Sequence, residues 1–236
     1  MKGLTNLKEH HREKLFSTDR FNIYRIKETY RQANSLIIIS KFSETAIIVD
    51  MGFGVAQRCL DLIRDCEAEP KGILITHGHL DHFKGLLDIS PEVPFFCSDE
   101  CFNFMKDSKL NLSKYMDGIK PIEFKDSTSQ HFVRESSVLL FGDLKFVCYE
   151  TFGHTTTCLS YGLERVLFTG DALMLDYHTP LNFPHSDKLK YEKTIDKYLE
   201  VTDDYDYFFG GHGDFGLFNK EILETKKQML LNSGRT

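Results

Sequence analysis

The sequence predicts an α/β protein built as a four-layer αβ/βα sandwich, with two facing sheets covered by helices on their outer sides. Short apolar segments of strand length recur in both halves of the 236-residue chain, and each half also contains a segment of helical periodicity. Strands combined with helices, twice over, favour two sheets packed face to face. No linker rich in Pro, Gly or Ser divides the halves, so we expect one domain over residues 1–236, with a core of about 21–213 and a C-terminal helix after it.

The first half contains four predicted strands and one predicted helix. The strands are rich in Ile, lie between polar or charged turns and cover Phe21–Ile26, Ser35–Ile39, Ala46–Val49 and Ile73–Thr76. Between the last two strands, residues 55–68 have apolar side chains at one-face helical spacing and end before Pro70. These apolar positions are Val55, Cys59, Leu62, Ile63 and Cys66.

The second half repeats this order of elements. Its predicted strands are Val138–Phe141, Leu144–Tyr149, Cys158–Tyr161 and Val166–Thr169. Ser186 and Asp187 offer an N-cap for a helix that continues to about Glu200, and Tyr205–Phe209 forms a further strand.

The composition excludes several function classes. With 41% hydrophobic and 27% charged residues, the chain is typical of a globular protein. The net charge of -6, with Lys and Arg scattered, predicts no nucleic-acid partner, and no apolar run approaches the roughly 20 residues that span a bilayer. Residues 1–20 are polar and basic without an apolar core, so we expect a cytoplasmic protein with a small-molecule partner.

The cysteines are predicted to be reduced and to pack in the interior. All six lie in apolar segments without the tight paired spacing of small secreted scaffolds: Cys59, Cys66, Cys97, Cys101, Cys148 and Cys158. Cys97 and Cys101 have no second pair that would complete a metal site, so packing is the preferred interpretation for them too.

The chemistry is concentrated at the ends of predicted strands. Three histidines fall within the six residues His77-Gly78-His79-Leu80-Asp81-His82, directly after an apolar strand. His154, Asp171 and His212 each follow a further strand and a glycine, which lets the backbone approach a site closely. Imidazoles and carboxylates suit zinc or iron, and two carboxylates add the charge that lets a second cation bind nearby.

These motifs, in this order, resemble the metallo-β-lactamase superfamily. The resemblance runs from about Phe21 to Gly213 and includes the early strand-end segment Val49-Asp50-Met51-Gly52. It implies seven metal ligands, namely His77, His79, Asp81, His82, His154, Asp171 and His212. His77, His79 and His154 would bind one cation and Asp81, His82 and His212 a second, with Asp171 bridging them. Asp50 would support the site without binding metal.

The function implied is hydrolysis of a small ester, thioester or lactone by a metal-bridging hydroxide. Two divalent cations are expected, zinc first, with iron or manganese as alternatives. Asp81 would orient the hydroxide and pass its proton to the leaving group, and Tyr177 would contact the substrate carbonyl.

The branch implied is the compact glyoxalase II-like group. The β-lactamases of antibiotic resistance are exported and lack the bridging Asp, and the RNA-processing nucleases carry an added arm or domain. Asn111-Leu112-Ser113 resembles a segment common in the compact group. Glyoxalase II itself continues into a helical glutathione-binding domain, whereas this chain ends soon after His212, which counts against glutathione thioesters.

Alternatives remain open at this point. A mononuclear iron dioxygenase acting on persulfides keeps the same motif residues; a phosphodiesterase or a non-catalytic metal-binding module is less favoured. The roles of Tyr177, His178 and His185 are open between the mouth of the site and turn or capping positions. Five phenylalanines could line a pocket, although core packing is preferred: Phe95, Phe96, Phe102, Phe104 and Phe183. His10, His11 and His131 are expected to be solvated.

Overall fold

The computed structural model describes residues 13–125 and 129–232, so His10 and His11 lie outside the described residues. The strands are β1 (Glu13–Ser17), β2 (Phe21–Lys27), β3 (Asn34–Ser40), β4 (Thr45–Val49), β5 (Glu69–Leu74), β6 (Phe95–Cys97), β7 (Gln130–Phe132), β8 (Val138–Phe141), β9 (Leu144–Glu150), β10 (Leu159–Leu163), β11 (Val166–Gly170), β12 (Tyr207–Gly210) and β13 (Phe215–Leu217). The α-helices are α1 (Ala56–Asp65), α2 (Leu80–Phe83), α3 (Asp99–Lys106), α4 (Lys188–Glu200) and α5 (Lys220–Asn232).

The strands form two sheets. The first follows chain order from β1 to β7, with antiparallel pairs from β1 to β4 and parallel pairs from β4 to β7. The second has the order β13-β12-β11-β10-β9-β8, and its strands pair antiparallel except for the parallel pair β11 and β12. The helices α1 and α2 lie between parallel strands of the first sheet, as crossover connections require.

Three apolar layers separate the sheets and helices. In β3, Ile37 and Ile39 pack with the residues of α1 and α3, whereas Leu36 and Ile38 pack against the second sheet. Successive side chains of a strand point to opposite faces, so a strand that is apolar throughout must be covered on both. A third layer joins the second sheet to α4 and α5. The predicted four-layer sandwich is therefore confirmed.

Helix α1 has the predicted apolar face but ends earlier than predicted. Cys59, Leu62 and Ile63 are buried against the first sheet. The helix ends at Asp65, not near Ala68, because Glu67 adopts a left-handed conformation with φ of 54° and the Ala68 amide donates back to the Ile63 carbonyl.

Most other predicted elements agree with the structure within one or two residues, and the differences have simple causes. β5 begins at Glu69 and ends at Leu74, so that the predicted strand residues Ile75 and Thr76 already lead into the loop beyond. The strands β1, β6, β7 and β13 are only three to five residues long and give too few positions for a periodic pattern.

The two sheets are joined by polar contacts near the end of β5. The Leu159 amide donates to the Thr76 carbonyl at 2.7 Å, and the buried hydroxyl of Tyr161 donates to the Ile75 carbonyl at 2.8 Å. These bonds hold the segment that precedes His77 against the second sheet.

The cysteines are free, and five of them are buried in the apolar layers. Burial raises the pKa of Cys59 and of Cys158 to about 12, which keeps both thiols protonated and poorly reactive. Cys97 and Cys101 lie together in the layer between the first sheet and its helices. The packing interpretation therefore agrees with their positions.

None of the helices in the described ranges combines the length and hydropathy that a bilayer span requires.

Candidate metal centre

The seven predicted ligands come together at one end of the sandwich, although they are far apart in sequence. His77 follows β5, and Asp81 and His82 belong to the single turn α2. His154 follows β9, Asp171 follows β11 and His212 follows β12. Their ligand atoms form three groups whose members lie within 4.8 Å of one another. Two of them do not overlap: His77, His79 and His154 are called the first group, and Asp81, His82 and His212 the second group. The third, His77, His82 and Asp171, overlaps both.

The first group consists of three buried imidazoles whose nitrogens face one another. Nδ1 of His79 lies 3.2 Å from Nε2 of His77 and 3.0 Å from Nε2 of His154. A zinc ion with ligand distances of about 2.0–2.1 Å in tetrahedral geometry sets nitrogens about 3.3 Å apart. The spacing of this group therefore fits a single cation.

Asp171 lies between the first group and the second. Its Oδ2 is 3.5 Å from Nε2 of His154, and its Oδ1 is 3.5 Å from Nε2 of His82 and 3.7 Å from Nε2 of His212. Asp81 completes the second group, with its Oδ2 3.6 Å from Nε2 of His212. The Asp171 carboxylate thus faces both groups, as a bridging ligand would.

One buried carboxylate, that of Asp50, orients a histidine in each group. Its Oδ2 accepts hydrogen bonds from Nδ1 of His82 at 2.8 Å and from the Thr76 hydroxyl at 2.7 Å. Because the Thr76 hydrogen is used in this way, its oxygen accepts from Nδ1 of His77, 3.1 Å away. In its neutral form, each of these imidazoles therefore directs the lone pair of Nε2 toward the site.

His154 is oriented by the backbone. Its Nδ1 donates to the Pro180 carbonyl at 2.8 Å, which leaves the lone pair of Nε2 directed toward His79 and Asp171. A main-chain acceptor of this kind fixes the tautomer and the orientation of the ring.

Charge and burial give the histidines of the two groups different protonation states. Burial and the neighbouring imidazoles hold the pKa values of His77 and His79 well below the ordinary value, and burial lowers the pKa of His154. Burial also opposes the charged form of His82, but the carboxylates of Asp171, Asp50 and Asp81 outweigh it and raise its pKa to about 10. The first group is therefore neutral at pH 7, and the second carries a proton that a cation would displace.

The donor set fits divalent cations. Within the described part of the chain, Nε2 of His82 and Oδ1 of Asp171 are buried without a hydrogen-bond partner, and they face each other across 3.5 Å. Buried polar atoms are normally paired, so these two atoms call for a shared ligand. Gly211 is required beside them, because a Cβ at that position would lie 2.2 Å from Oδ1 of Asp171.

Comparison with known proteins agrees with this geometry. Residues 29–212 match the sequence model of the Metallo-beta-lactamase superfamily.

The chain belongs to the metallo-β-lactamase superfamily.

Several known proteins resemble the chain over most of its length. The hydroxyacylglutathione hydrolase GloC of Haemophilus influenzae is 28% identical over 208 residues, which cover 85% of this chain and 94% of that protein. The crystal structure of the BLEG-1 B3 metallo-β-lactamase superimposes with a TM-score of 0.75 at 23% identity and covers 84% of this chain and 95% of its own. ETHE1 from Myxococcus xanthus gives a TM-score of 0.68 at 17% identity, with 91% of each chain covered. The two solved structures share the fold of this chain. The chain is an enzyme, one of the metal-dependent hydrolases of the superfamily.

The β2–β3 hairpin supports His212 in a way that the sequence patterns do not indicate. Asn34 is buried, its side-chain amide donates to the carbonyls of Gly210 and Gly213 at 3.0 Å each, and its backbone amide donates to the Gly211 carbonyl. Arg25 also donates to the Gly213 carbonyl. No local pattern marks these residues, because their partners lie more than 170 positions away.

Residues whose roles the sequence leaves open are placed as follows. The Tyr177 ring is half exposed and lies 6.4 Å from the His212 ring, at the rim of the centre. His178 is exposed and lines a separate cavity of about 550 Å³ between α4, α5 and the segment 178–182. His185 lies against His79, with 2.9 Å between their Nε2 atoms. His131 is exposed, as predicted, and stacks on Phe96.

The phenylalanines divide between core and site. Phe95 and Phe102 belong to the apolar layer under the first sheet, and Phe96 is packed against the layer between the sheets. Phe183 lies beside His79 with ring centres 5.2 Å apart, and Phe104 contacts His185. The core interpretation is therefore correct for the first three, and the last two form a wall beside the first group.

Asn111 has a structural position. Its side-chain amide donates to the carbonyls of Met105 and Ile122, and its own carbonyl accepts from the Leu80 amide. It thereby ties the loop after α3 to the start of α2, between His79 and Asp81.

Proposed function

We propose that this enzyme hydrolyses a small thioester, ester or lactone, with two divalent cations held by the seven residues of the centre. The observation that carries the proposal is the Asp171 carboxylate, whose two oxygens face the two groups of histidine nitrogens at 3.5–3.7 Å. Zinc is the expected metal, with iron or manganese as alternatives. A small molecule stays the predicted partner, and a cytoplasmic location stays a prediction.

A thioester is the substrate class we favour. The Haemophilus influenzae relative is named as a hydrolase of hydroxyacylglutathione, which is a thioester, and 94% of its length aligns with this chain. The short distance from His212 to the end of the chain therefore no longer counts against glutathione thioesters, because a relative of similar extent carries that name.

His77, His79 and His154 would hold one cation, and Asp81, His82 and His212 a second, with Asp171 shared. When bound, such cations supply a water of lowered pKa and polarise the scissile carbonyl. Asp50 and Thr76 bind Nδ1 of His82 and His77, so that each imidazole, when neutral, directs the lone pair of Nε2 toward the site.

Asp81 is the predicted acid and base. Its side chain lies at the opening and is 13% exposed, whereas that of His82 in the same helical turn is fully buried. The Asp81 carboxylate accepts a proton from the attacking water and donates it to the departing sulfur or oxygen. The products are then a carboxylic acid and a thiol or alcohol. Tyr177, at the rim, is predicted to contact the substrate carbonyl through its hydroxyl.

The test joins metal analysis to a substrate panel. Elemental analysis of the purified enzyme is expected to give about two zinc or manganese ions per chain. The panel contains lactoylglutathione, an acyl thioester without glutathione, a lactone and an activated phosphodiester. Hydrolysis of the first two ahead of the others supports the thioester proposal, and preference for the phosphodiester contradicts it. About one iron per chain, with oxygen uptake on a persulfide, moves the assignment to the dioxygenase alternative.

Asp171→Asn tests the shared ligand. We expect kcat/KM to fall by more than about 100-fold, the upper end of the loss caused by removing a residue that only supports a ligand. Asp196→Asn is the matched control, because Asp196 pairs with Lys227 at the surface. Near-normal hydrolysis by Asp171→Asn would contradict the two-cation centre.

A further inference from the structure

We propose that His185 is a positioning residue of the metal centre, which accepts a hydrogen bond from Nε2–H of His79 and so keeps the lone pair of Nδ1 directed into the first group. The two Nε2 atoms are 2.9 Å apart. The inference rests on the proposed metal site. It gives His79, the third histidine of the first group, a hydrogen-bond partner for the ring nitrogen that points away from the site.

The argument follows from the other ligand histidines. His77 and His154 each turn Nε2 inward and donate from Nδ1 to Thr76 and to the Pro180 carbonyl, respectively. The His79 ring has the opposite orientation, because its Nδ1 faces Nε2 of His77 at 3.2 Å and Nε2 of His154 at 3.0 Å. A neutral imidazole that binds a cation through Nδ1 carries its hydrogen on Nε2, and a buried N–H requires an acceptor. Nε2 of His185 lies at the required distance.

His185 is itself held in place by packing and by the backbone. Its ring stacks on Phe183 at an interplanar angle of 8° and meets the edge of Phe104 at 84°, with ring centres 5.8 and 5.0 Å apart. The next residues are bonded to the segment of His154: the Ser186 hydroxyl donates to the His154 carbonyl at 2.7 Å, and the Asp187 amide to the Gly153 carbonyl at 2.8 Å.

The turn formed by residues 183–187 therefore couples two ligands of one cation. The Ser186 hydroxyl and the Asp187 amide hold the loop of His154, and the His185 imidazole holds the ring of His79. An aromatic or aliphatic side chain at 185 could fill the same space beside Phe183, but it could not accept the hydrogen bond. This difference separates a positioning role from simple packing.

The direct test is the tautomer of each histidine in the zinc-loaded wild-type enzyme. Long-range ¹H–¹⁵N spectra of histidine side chains report which ring nitrogen carries hydrogen. We expect His79 to be protonated at Nε2 and His185 at Nδ1, with the His79 Nε2–H shifted downfield by its hydrogen bond. A His185 protonated at Nε2 would overturn the proposal.

Substitution gives the second test. We expect His185→Leu to weaken zinc binding at the first group by about 10–100-fold in competition with a chelator, as loss of an outer partner does elsewhere. His185→Gln, whose amide oxygen can accept from His79, is expected to restore most of the affinity. His131→Leu and His131→Gln are the matched controls on the exposed strand β7. Equal zinc affinity in His185→Leu and the wild type, or equal loss in the Leu and Gln variants, would overturn the proposal. Neither test uses substrate, so a failed hydrolysis assay leaves both results interpretable.

Discussion

At the scale of single residues, Asp50 connects the two halves of the centre. It follows β4 in a left-handed conformation with φ of 58°, which Asp tolerates better than most residues. From there its carboxylate accepts three hydrogen bonds, from the Thr76 amide, the Thr76 hydroxyl and Nδ1 of His82. One side chain that binds no metal in our proposal thus orients a ligand of each cation.

Asp50→Asn is expected to weaken both cation sites. The amide has a single oxygen for three donors, so at least one buried donor loses its acceptor. We expect unfolding free energy to fall by about 1–3 kcal/mol and zinc affinity by about 10–100-fold. Denaturant titration and chelator competition measure the two effects. Asp196→Asn is the control, because Asp196 pairs with Lys227 at the surface. Loss at one site alone would contradict the shared role of Asp50.

The protonation of His82 predicts how cation binding depends on pH. Its raised pKa, about 10 in the metal-free protein, means that a cation entering the second group at pH 7–9 must displace a proton. Affinity there is expected to rise about tenfold per pH unit, whereas the first group, whose histidines have lowered pKa values, should change little. Calorimetric zinc titrations between pH 7 and 9 measure the affinity of both groups. Equal pH dependence at the two sites would show that His82 is already neutral.

At the scale of elements, the β2–β3 hairpin is part of the centre although it supplies no predicted ligand. Its tip is shaped by the buried carboxylate of Glu28, which accepts from the backbone amides of Tyr30, Arg31 and Ala33. Directly after the tip, Asn34 holds the loop that carries His212. The hairpin therefore determines where the more exposed ligand lies.

Asn34→Ala is expected to affect the second cation before the first. Two buried hydrogen bonds to the His212 loop are lost, whereas the contacts of His77, His79 and His154 are untouched. We expect zinc affinity at the second group to fall about tenfold and zinc affinity at the first group to stay near the wild-type value. Zinc titration of the metal-free enzyme resolves the two. Asn22→Ala, on the same hairpin, is the control, because its side-chain oxygen accepts from the exposed Ser17 hydroxyl. A parallel loss at both sites would point to general loosening of the fold.

The same elements show what the sequence could predict. The ligand positions are local motifs at strand ends, and their resemblance to the metallo-β-lactamase superfamily implied that His77, Asp81 and Asp171 meet at one site. The boundaries of β3 and α4 followed from an apolar run between polar turns and from an N-cap, which are also local. Asn34 and His185 act on partners more than 100 positions away, and that pairing depends on how the sheets and turns meet. No periodic pattern in the sequence around either residue indicates this pairing.

At the scale of the whole molecule, the centre joins the two sheets. His77, His79 and His82 come from the first sheet's side, and His154, Asp171 and His212 from the second. Cations bound here would add a cross-link between the layers beside the bonds made by Tyr161 and Leu159.

Metal removal is therefore expected to lower stability. Binding to the folded state alone adds about 2.7 kcal/mol at a free zinc concentration of 100 times Kd, which corresponds to roughly 5–11 °C in Tm for a chain of this size. Thermal unfolding of the enzyme with a chelator and with added zinc measures the difference. In Asp171→Asn the rise in Tm caused by zinc should largely disappear. A Tm independent of zinc in the wild type would contradict a zinc site that exists only in the folded protein.

The separation of the ligands along the chain also bears on how the enzyme matures. His77 and His212 are 135 positions apart, so the complete donor set exists only after both sheets have formed and docked. Contacts of such long range form late in folding, because the chain entropy of closing the loop must be overcome first. Cation capture would then be the last event in biogenesis, and the apo-enzyme would be a folded species that acquires its ions through the opening beside Asp81 and His212.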